Sequence, residues 1–311
     1  MRMHLIFLCG TLVALLGCSQ NSTAPVPAAP SNLYVADFFG GFNVYATPFS
    51  AASTPVAEQT ITGGGGDAAI DANGDVFIST PSSVEMFVPP VTSASTPSLT
   101  IGPIAGALNI IGIAFSPAGG LYVADAFSSK ICYFAPPFGP ATPTTVFSAA
   151  PPFQPTFLTF DAAGTLYVSN FTGSSIDVFT PPFTSGINAP AAVIAIAKAK
   201  PFGVKLNAAG QLIVGLVDGE LALVNPPFSS GSTPAFYVAA PTINGGIAMD
   251  VGGETIDAAG NLYVPYGSNG GANDGLNAGV GVFAPPLGAS SVPLFAIRAG
   301  LTQPTGTAFG R

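Results

Sequence analysis

From Leu33 onward the chain alternates short apolar runs with small or polar turn residues. Leu33-Tyr34-Val35-Ala36-Asp37, Leu121-Tyr122-Val123-Ala124-Asp125 and Leu166-Tyr167-Val168-Ser169-Asn170 are three of six such runs. The others open at Val76, Leu212 and Leu262, which makes the steps 43, 45, 45, 46 and 50 residues. Each run is too short for a helix and rich in β-branched and aromatic residues, so it reads as a strand. A second apolar run precedes it and ends in a glycine turn, as in Leu158-Thr159-Phe160-Asp161-Ala162-Ala163-Gly164. Here the Asp can accept from the backbone two residues on, while Gly supplies a positive φ. Asp71, Asp161 and Asp257 are therefore expected to be turn residues despite looking like a set of carboxylates.

A third run follows at 42–45, 84–87, 131–134, 176–179, 221–224 and 280–283, and each meets prolines, as at Pro136-Pro137-Phe138, Pro181-Pro182-Phe183 and Pro226-Pro227-Phe228. Proline cannot donate to a ladder, so it ends the strand and turns the chain toward an outer edge strand. The following Phe is expected to plug the outer corner. Each repeat thus supplies four strands, a to d, and a period of this length made of short strands predicts an all-β, six-bladed β-propeller of four-stranded blades over residues 32–311. The chain enters the repeat at strand b (Leu33) and leaves it at Pro304-Thr305-Gly306-Thr307-Ala308-Phe309, which matches strand a. The C-terminal strand a should therefore join the N-terminal strands b–d and close the ring.

Ahead of the repeats, Met1-Arg2-Met3-His4 and the apolar run Leu5 to Leu16 predict a signal peptide over 1–17. Leu15-Leu16-Gly17-Cys18 resembles the lipobox of bacterial lipoproteins, which implies lipidation at Cys18 and a membrane anchor through the N-terminal lipid. Residues 18–31, polar and then Pro/Ala-rich, are expected to be an extended tether. The resemblance implies an exported, lipid-anchored protein of the cell envelope. Because Ser19 is not the inner-membrane retention Asp, it favours the outer membrane where the organism has one.

Composition narrows the chemistry. Loss of Arg2 with the signal changes the formal charge from -8 to -9, and so acidic a chain has no basic patch for phosphates, which argues against nucleic acid as a partner. His4, the single histidine, would also leave with the signal. Cys132 would be the only candidate free thiol, expected as a small core residue. No phosphate loop, serine-nucleophile elbow or cysteine pair is present.

The pattern Pro-x-Gly followed by apolar-Ala-apolar-Asp, a glycine turn and Leu-Tyr-Val-Ala-Asp is similar to that of NHL-repeat propellers and of the wider group containing gluconolactonase- and regucalcin-like proteins. It is clearest at Pro304-Thr305-Gly306-Thr307-Ala308-Phe309 and Asn261-Leu262-Tyr263-Val264, and lacks the Asn-His-Leu tripeptide. That group includes lactonases, lyases and pure binding platforms, so the resemblance carries the architecture only.

Three charges interrupt the apolar inner strands. Asp67 stands where the other repeats have Gly112, Phe157, Gly203, Gly253 and Gly306; Lys205 and Glu254 replace small or aliphatic residues. An ion pair between Lys205 and Glu254 lining the channel is the plain expectation, and a ligand site around Asp67, Lys205 and Glu254 the sharper one. No cofactor is expected. The resemblance to regucalcin-like lactonases leaves open a divalent cation such as calcium, for which Asp67 and Glu254, with Asn109 and Asn244, are the oxygen donors. The sixth repeat has a long b–c loop, with Tyr266, Asn269, Asn273, Asp274 and Asn277 as candidate binding-face residues. The leading expectation is a binding or assembly platform for a protein or glycan rather than an enzyme. The alternative is a metal-dependent lactonase-like hydrolase with an axial site.

Overall fold

The computed structural model describes residues 31–140, 143–243, 246–247, 249–267 and 278–311, the side chains of 243, 246, 247 and 249 excepted. Cys18, the signal segment, the tether up to residue 30, Asn244, Asn269, Asn273, Asp274 and Asn277 lie outside these.

The repeats form six sheets arranged as the blades of a propeller, each antiparallel from strand a at the axis to strand d at the rim. The inner strands are Pro304–Gly310 in blade 1, Ala68–Ile70 in blade 2, Ile110–Phe115 in blade 3, Pro155–Phe160 in blade 4 and Pro201–Leu206 in blade 5. In blade 6 the inner strand is split into Met249–Val251 and Thr255–Ile256, both paired with Leu262–Gly267. Strands b and c begin within one residue of the positions read from the sequence. Blade 3 gains a fifth strand, because Gly186–Ile187 from the c–d connection of blade 4 pairs parallel with Thr145–Ser148. The turn aspartates behave as expected: Asp161 Oδ1 accepts from the N–H of Ala163 and Thr165 at 2.9 and 2.8 Å, with equivalents at Asp71 and Asp257.

Blade faces are buried against neighbouring blades. On strand b of blade 3, Leu121 and Val123 pack toward blade 2 while Tyr122 and Ala124 pack toward blade 4, so alternate residues serve opposite interfaces. This double burial is why strand b reads as a continuous apolar run. The Phe after the proline stop of strand c in blades 1, 3, 4 and 5 does more than fill a corner; it crosses to the preceding blade. Phe138 meets Phe77 at 5.5 Å, Phe183 meets Tyr122 at 5.7 Å, Phe228 meets Tyr167 at 5.5 Å, and Phe49 of blade 1 meets Tyr263 of blade 6 at 5.8 Å, all edge-on.

Closure follows the expected route. Leu33 pairs with Phe309 and Tyr34 with Ala308, and the Tyr34 hydroxyl donates to the Arg311 carbonyl at 2.8 Å. Asp37, buried at the end of strand b, completes the clasp: Oδ2 accepts from the N–H of Thr302 at 2.6 Å and of Gln303 at 3.0 Å, and Oδ1 accepts from the Thr302 hydroxyl at 2.6 Å. Asp125 and Asn170 occupy the same position in blades 3 and 4 and accept from Asn109 and Gln154. The final Asp or Asn of the strand-b motif thus ties down the connection entering its own blade. In blade 1 that connection is the far end of the chain. Replacing Asp37 with Ala removes the acceptor of three partly buried donors, the N–H groups of Thr302 and Gln303 and the Thr302 hydroxyl, so Asp37→Ala should lower the unfolding free energy by about 3 kcal/mol in urea titration.

Candidate functional site

Midway along the axis the inner strands depart from regular pairing: the register shifts between Ile110 and Ile113, Pro155 and Leu158, and Pro201 and Val204. At this waist neighbouring backbones touch. A methyl group added to Gly252 would fall 1.7 Å from the Thr305 carbonyl oxygen, and one on Gly203 1.9 Å from that of Gly252. Blades 6 and 1 hydrogen-bond directly there, Gly253 N–H to the Thr305 carbonyl at 2.7 Å and Thr307 N–H to the Gly253 carbonyl at 2.8 Å. Buried hydroxyls make the other crossings: Ser79 to the Ile111 carbonyl at 2.6 Å, Thr156 to Phe202 at 2.8 Å and Thr305 to Gly65 at 2.9 Å.

Asp67 is the charged member of this ring. Its Oδ2 accepts from the Ile113 N–H of blade 3 at 3.0 Å and its Oδ1 from the Ala68 N–H at 2.8 Å. Oδ1 also lies against Gly306 and Gly253, where an added methyl would come within 2.2 and 2.7 Å of it. Blades 1, 2, 3 and 6 therefore meet at one carboxyl. The Phe157 ring reaches Gly253 from the other side.

On the opposite side of the waist a cavity of about 390 Å³ is walled by the halves of all six inner strands that lead into the a–b turns, with Asp67, Lys205 and Glu254 among its residues. The structure brings together the three charges singled out in the sequence. It does not join them in an ion pair: neither carboxyl forms one with Lys205, contrary to the expected channel-lining bridge, and among the described residues only Lys198 and Glu220 do so, at 2.5 Å. The reason is packing. Glu254 is drawn into the blade 5–6 interface, its carboxylate lying where a methyl on Gly203 would stand 2.7 Å from both oxygens and one on Gly215 2.5 Å from Oε1. Neither oxygen has a hydrogen-bond partner of normal geometry, although the amides of Gly215 and of Glu254 itself lie near enough to favour the charged form.

Burial dominates the protonation of all three. It pushes Asp67 up to about 7 against the help of the two N–H donors and Lys205, and holds Glu254 well above the ordinary carboxyl range. It lowers Lys205, which Asp67 and Glu254 pull back upward through space. Lys205 is half-buried as a residue and lines the cavity. Tyr266, expected on the binding-face loop, is instead a fully buried strand residue. Its hydroxyl has no partner, and burial plus the nearby Glu254 carboxylate hold its pKa well above the phenol range. The sequence could have shown this, since Tyr266 falls within the apolar strand Leu262–Gly267.

Among the described residues no three His, Cys, Asp or Glu side chains stand close enough to hold a metal ion. Asn109 is not beside them; its amide is held by Asp125 at the entry to blade 3. Cys132 is a buried core residue whose thiol burial pushes up to about 11, which keeps it protonated and unreactive.

A second candidate surface lies on the b–c face. Phe38, Phe39 and Phe127, the strongly exposed phenylalanines among the described residues, all stand on b–c turns, with Leu108 beside the turn of Phe127. Phe38 and Phe39 meet edge-on at 5.2 Å. The sequence reading missed these residues. Only part of their signal was available: Phe38, Phe39 and Phe127 lie in the turns after strand-terminating Asp37 and Asp125, but Phe171, directly after Asn170, packs against Phe202.

No family model matches the chain, and no curated protein is similar to it in sequence. Similar solved structures are numerous. A protein of unknown function from Bacteroides caccae is 13% identical with a TM-score of 0.67, covering 91% of this chain and 100% of its own. The periplasmic gluconolactonase of Pseudomonas aeruginosa is 14% identical with a TM-score of 0.61, covering 91% and 99%. Virginiamycin B lyase of Staphylococcus aureus is 13% identical with a TM-score of 0.52, covering 85% and 84%. At these identities the likeness establishes the propeller and nothing about activity.

The raised Asp67 pKa makes a signed prediction. The native state keeps this proton between about pH 4 and pH 7, where the unfolded chain gives it up, so stability is greatest below that window and falls as pH rises through it. A shift from 3.8 to about 7 corresponds to about 4 kcal/mol. Glu254 acts in the same direction. Urea unfolding of Asp67→Asn across this range should give a visibly flatter pH dependence than the parent protein; parallel curves would count against the assignment.

Proposed function

We propose that the protein is a lipid-anchored envelope protein whose propeller is a binding platform, taking a protein or glycan on its b–c face. The observation that carries this is the confinement of the strongly exposed phenylalanines to that face. Solvent-facing aromatic rings offer stacking surface to sugars and anchors to protein partners. Orientation supports it. Strand b begins at Asn32 on the a–b side, beside Gly310, and runs to Asp37 on the b–c side. A tether leaving from Asn32 would turn the aromatic face away from its own attachment point. The long sixth-blade connection also joins Gly267 to Gly279 on this face.

Two experiments test the reading. Cys18→Ala should abolish incorporation of labelled fatty acid and release the protein from membranes. A triple Phe38→Ser, Phe39→Ser, Phe127→Ser variant should keep the parent's Tm and lose about tenfold or more of the affinity seen on a glycan array or by cross-linking in intact envelopes. An unchanged binding profile would remove the aromatic face from consideration.

Hydrolysis of a lactone or ester at the axial cavity is the second reading, favoured by the convergence of Asp67, Lys205 and Glu254 there. Its metal-dependent form needs donors beyond those the described residues bring together. Stoichiometric divalent metal in the purified protein, lost in Glu254→Gln together with gluconolactone turnover, would establish it.

A further inference from the structure

The other lysines have surface roles. Lys130 is exposed, Lys198 pairs with Glu220 and lies 4.9 Å above the Tyr237 ring, and Lys200 donates to the Ser174 hydroxyl at 2.8 Å. Lys205 stands apart. It sits on the inner strand of blade 5 and lines the axial cavity, and no described residue forms a hydrogen bond or ion pair with its amine. Asp67 is occupied by backbone donors, and Glu254 is sunk in the Gly203–Gly215 cradle. The amine therefore has free volume in front of it. Two carboxyl groups act on it from a distance, and aliphatic or aromatic side chains such as Ile70, Phe115 and Ile256 contribute to the wall.

An amine so placed is suited to addition rather than to ion pairing. We propose that Lys205 captures short apolar aldehydes that enter the cavity from the a–b face, condensing with them to an imine. In the first step the neutral amine nitrogen gives its lone pair to the carbonyl carbon. A C–N bond forms, the C=O π pair moves to oxygen, and the proton lost from nitrogen passes through cavity water to that oxygen. In the second step the carbinolamine C–O bond breaks as its hydroxyl takes a proton from cavity water and leaves as water, the nitrogen lone pair closes the C=N bond, and the resulting iminium N–H returns a proton to the water to leave the imine. The balance is one amine and one aldehyde in, one imine and one water out, with no oxidant or reductant. Protonation of the imine would place the positive charge where the ammonium stood, within the field of Asp67 and Glu254, so the surroundings that tolerate the lysine also tolerate the product. Burial that favours the neutral amine assists the first step, since only the unprotonated nitrogen is nucleophilic.

The test compares lysines within one folded chain. The intact protein is incubated at pH 7 with butanal and cyanoborohydride, which reduces imines to stable butyl-lysine, and peptides are mapped by mass spectrometry. Lys205 should carry the butyl group at about tenfold or more the occupancy of Lys130, Lys198 and Lys200, because burial favours its neutral form and the cavity wall can hold the butyl chain. In Lys205→Met the labelling of the other three should be unchanged. Lys205 labelling equal to or below that of the surface lysines overturns the proposal. It stands or falls independently of binding on the b–c face.

Discussion

A four-stranded blade of this kind cannot be stable alone, because both of its faces are apolar. Strand b of every blade is buried on two sides, and each side is covered by a different neighbour. Stability is therefore a property of the ring, and the ring depends on how closely adjacent blades approach. Two devices fix that distance. At the rim, an aromatic residue carried past the prolines of one blade packs on the strand-b ring of the blade before it. At the waist, backbones touch through glycines that have no room for a methyl group, and buried hydroxyls bond to carbonyls of the next blade. The rim sets the angle between blades and the waist sets how near they come to the axis.

Such an arrangement cannot leave one interface open. A missing contact between blades 6 and 1 would expose both an apolar face and a full strand edge. The chain ends are accordingly interlocked at three levels: the ladder between 32–37 and 304–310, the Asp37 clasp, and the direct bonds between Gly253 and the 305–307 backbone. The N-terminal strand b needs the C-terminal strand a as its inner partner, so the first blade is complete only once the last residues are in place.

Almost all of this architecture was legible in the sequence, because it is repeated. A period, a proline stop and a glycine turn each have a local cause, and six copies make the cause hard to miss. The residues that set the chemistry are the departures from the repeat, and they were legible only as departures. Asp67, Lys205 and Glu254 could be seen to break the apolar pattern and to lie near the axis. That they fail to pair was not visible, because it depends on where the Glu254 carboxyl settles between two glycines of another blade. Tyr266 was misread for a related reason: being near a long loop in sequence did not outweigh its place in a buried strand. The exposed phenylalanines were overlooked because the repeat uses Phe so often inside that a Phe outside attracts no notice.

The two candidate surfaces differ in what the fold demands of them. Phe38, Phe39 and Phe127 are exposed and belong to none of the inter-blade core clusters. The axial charges are harder to dismiss as tolerated, because each bears a cost that an alanine or glycine at the same place would avoid. Asp67 offsets part of its cost by accepting from Ile113 and thereby linking two blades, which gives it a structural reason to be there. Glu254 and Lys205 offer no such link of normal hydrogen-bond geometry: among the described residues one has two buried oxygens without such a partner, the other an amine without an acceptor. Groups that neither pair with each other nor hold the ring together are the ones whose presence a packing argument fails to explain. Both line the cavity, but Glu254 is buried while Lys205 keeps partial exposure. A purpose for the cavity must therefore be sought first at its nitrogen.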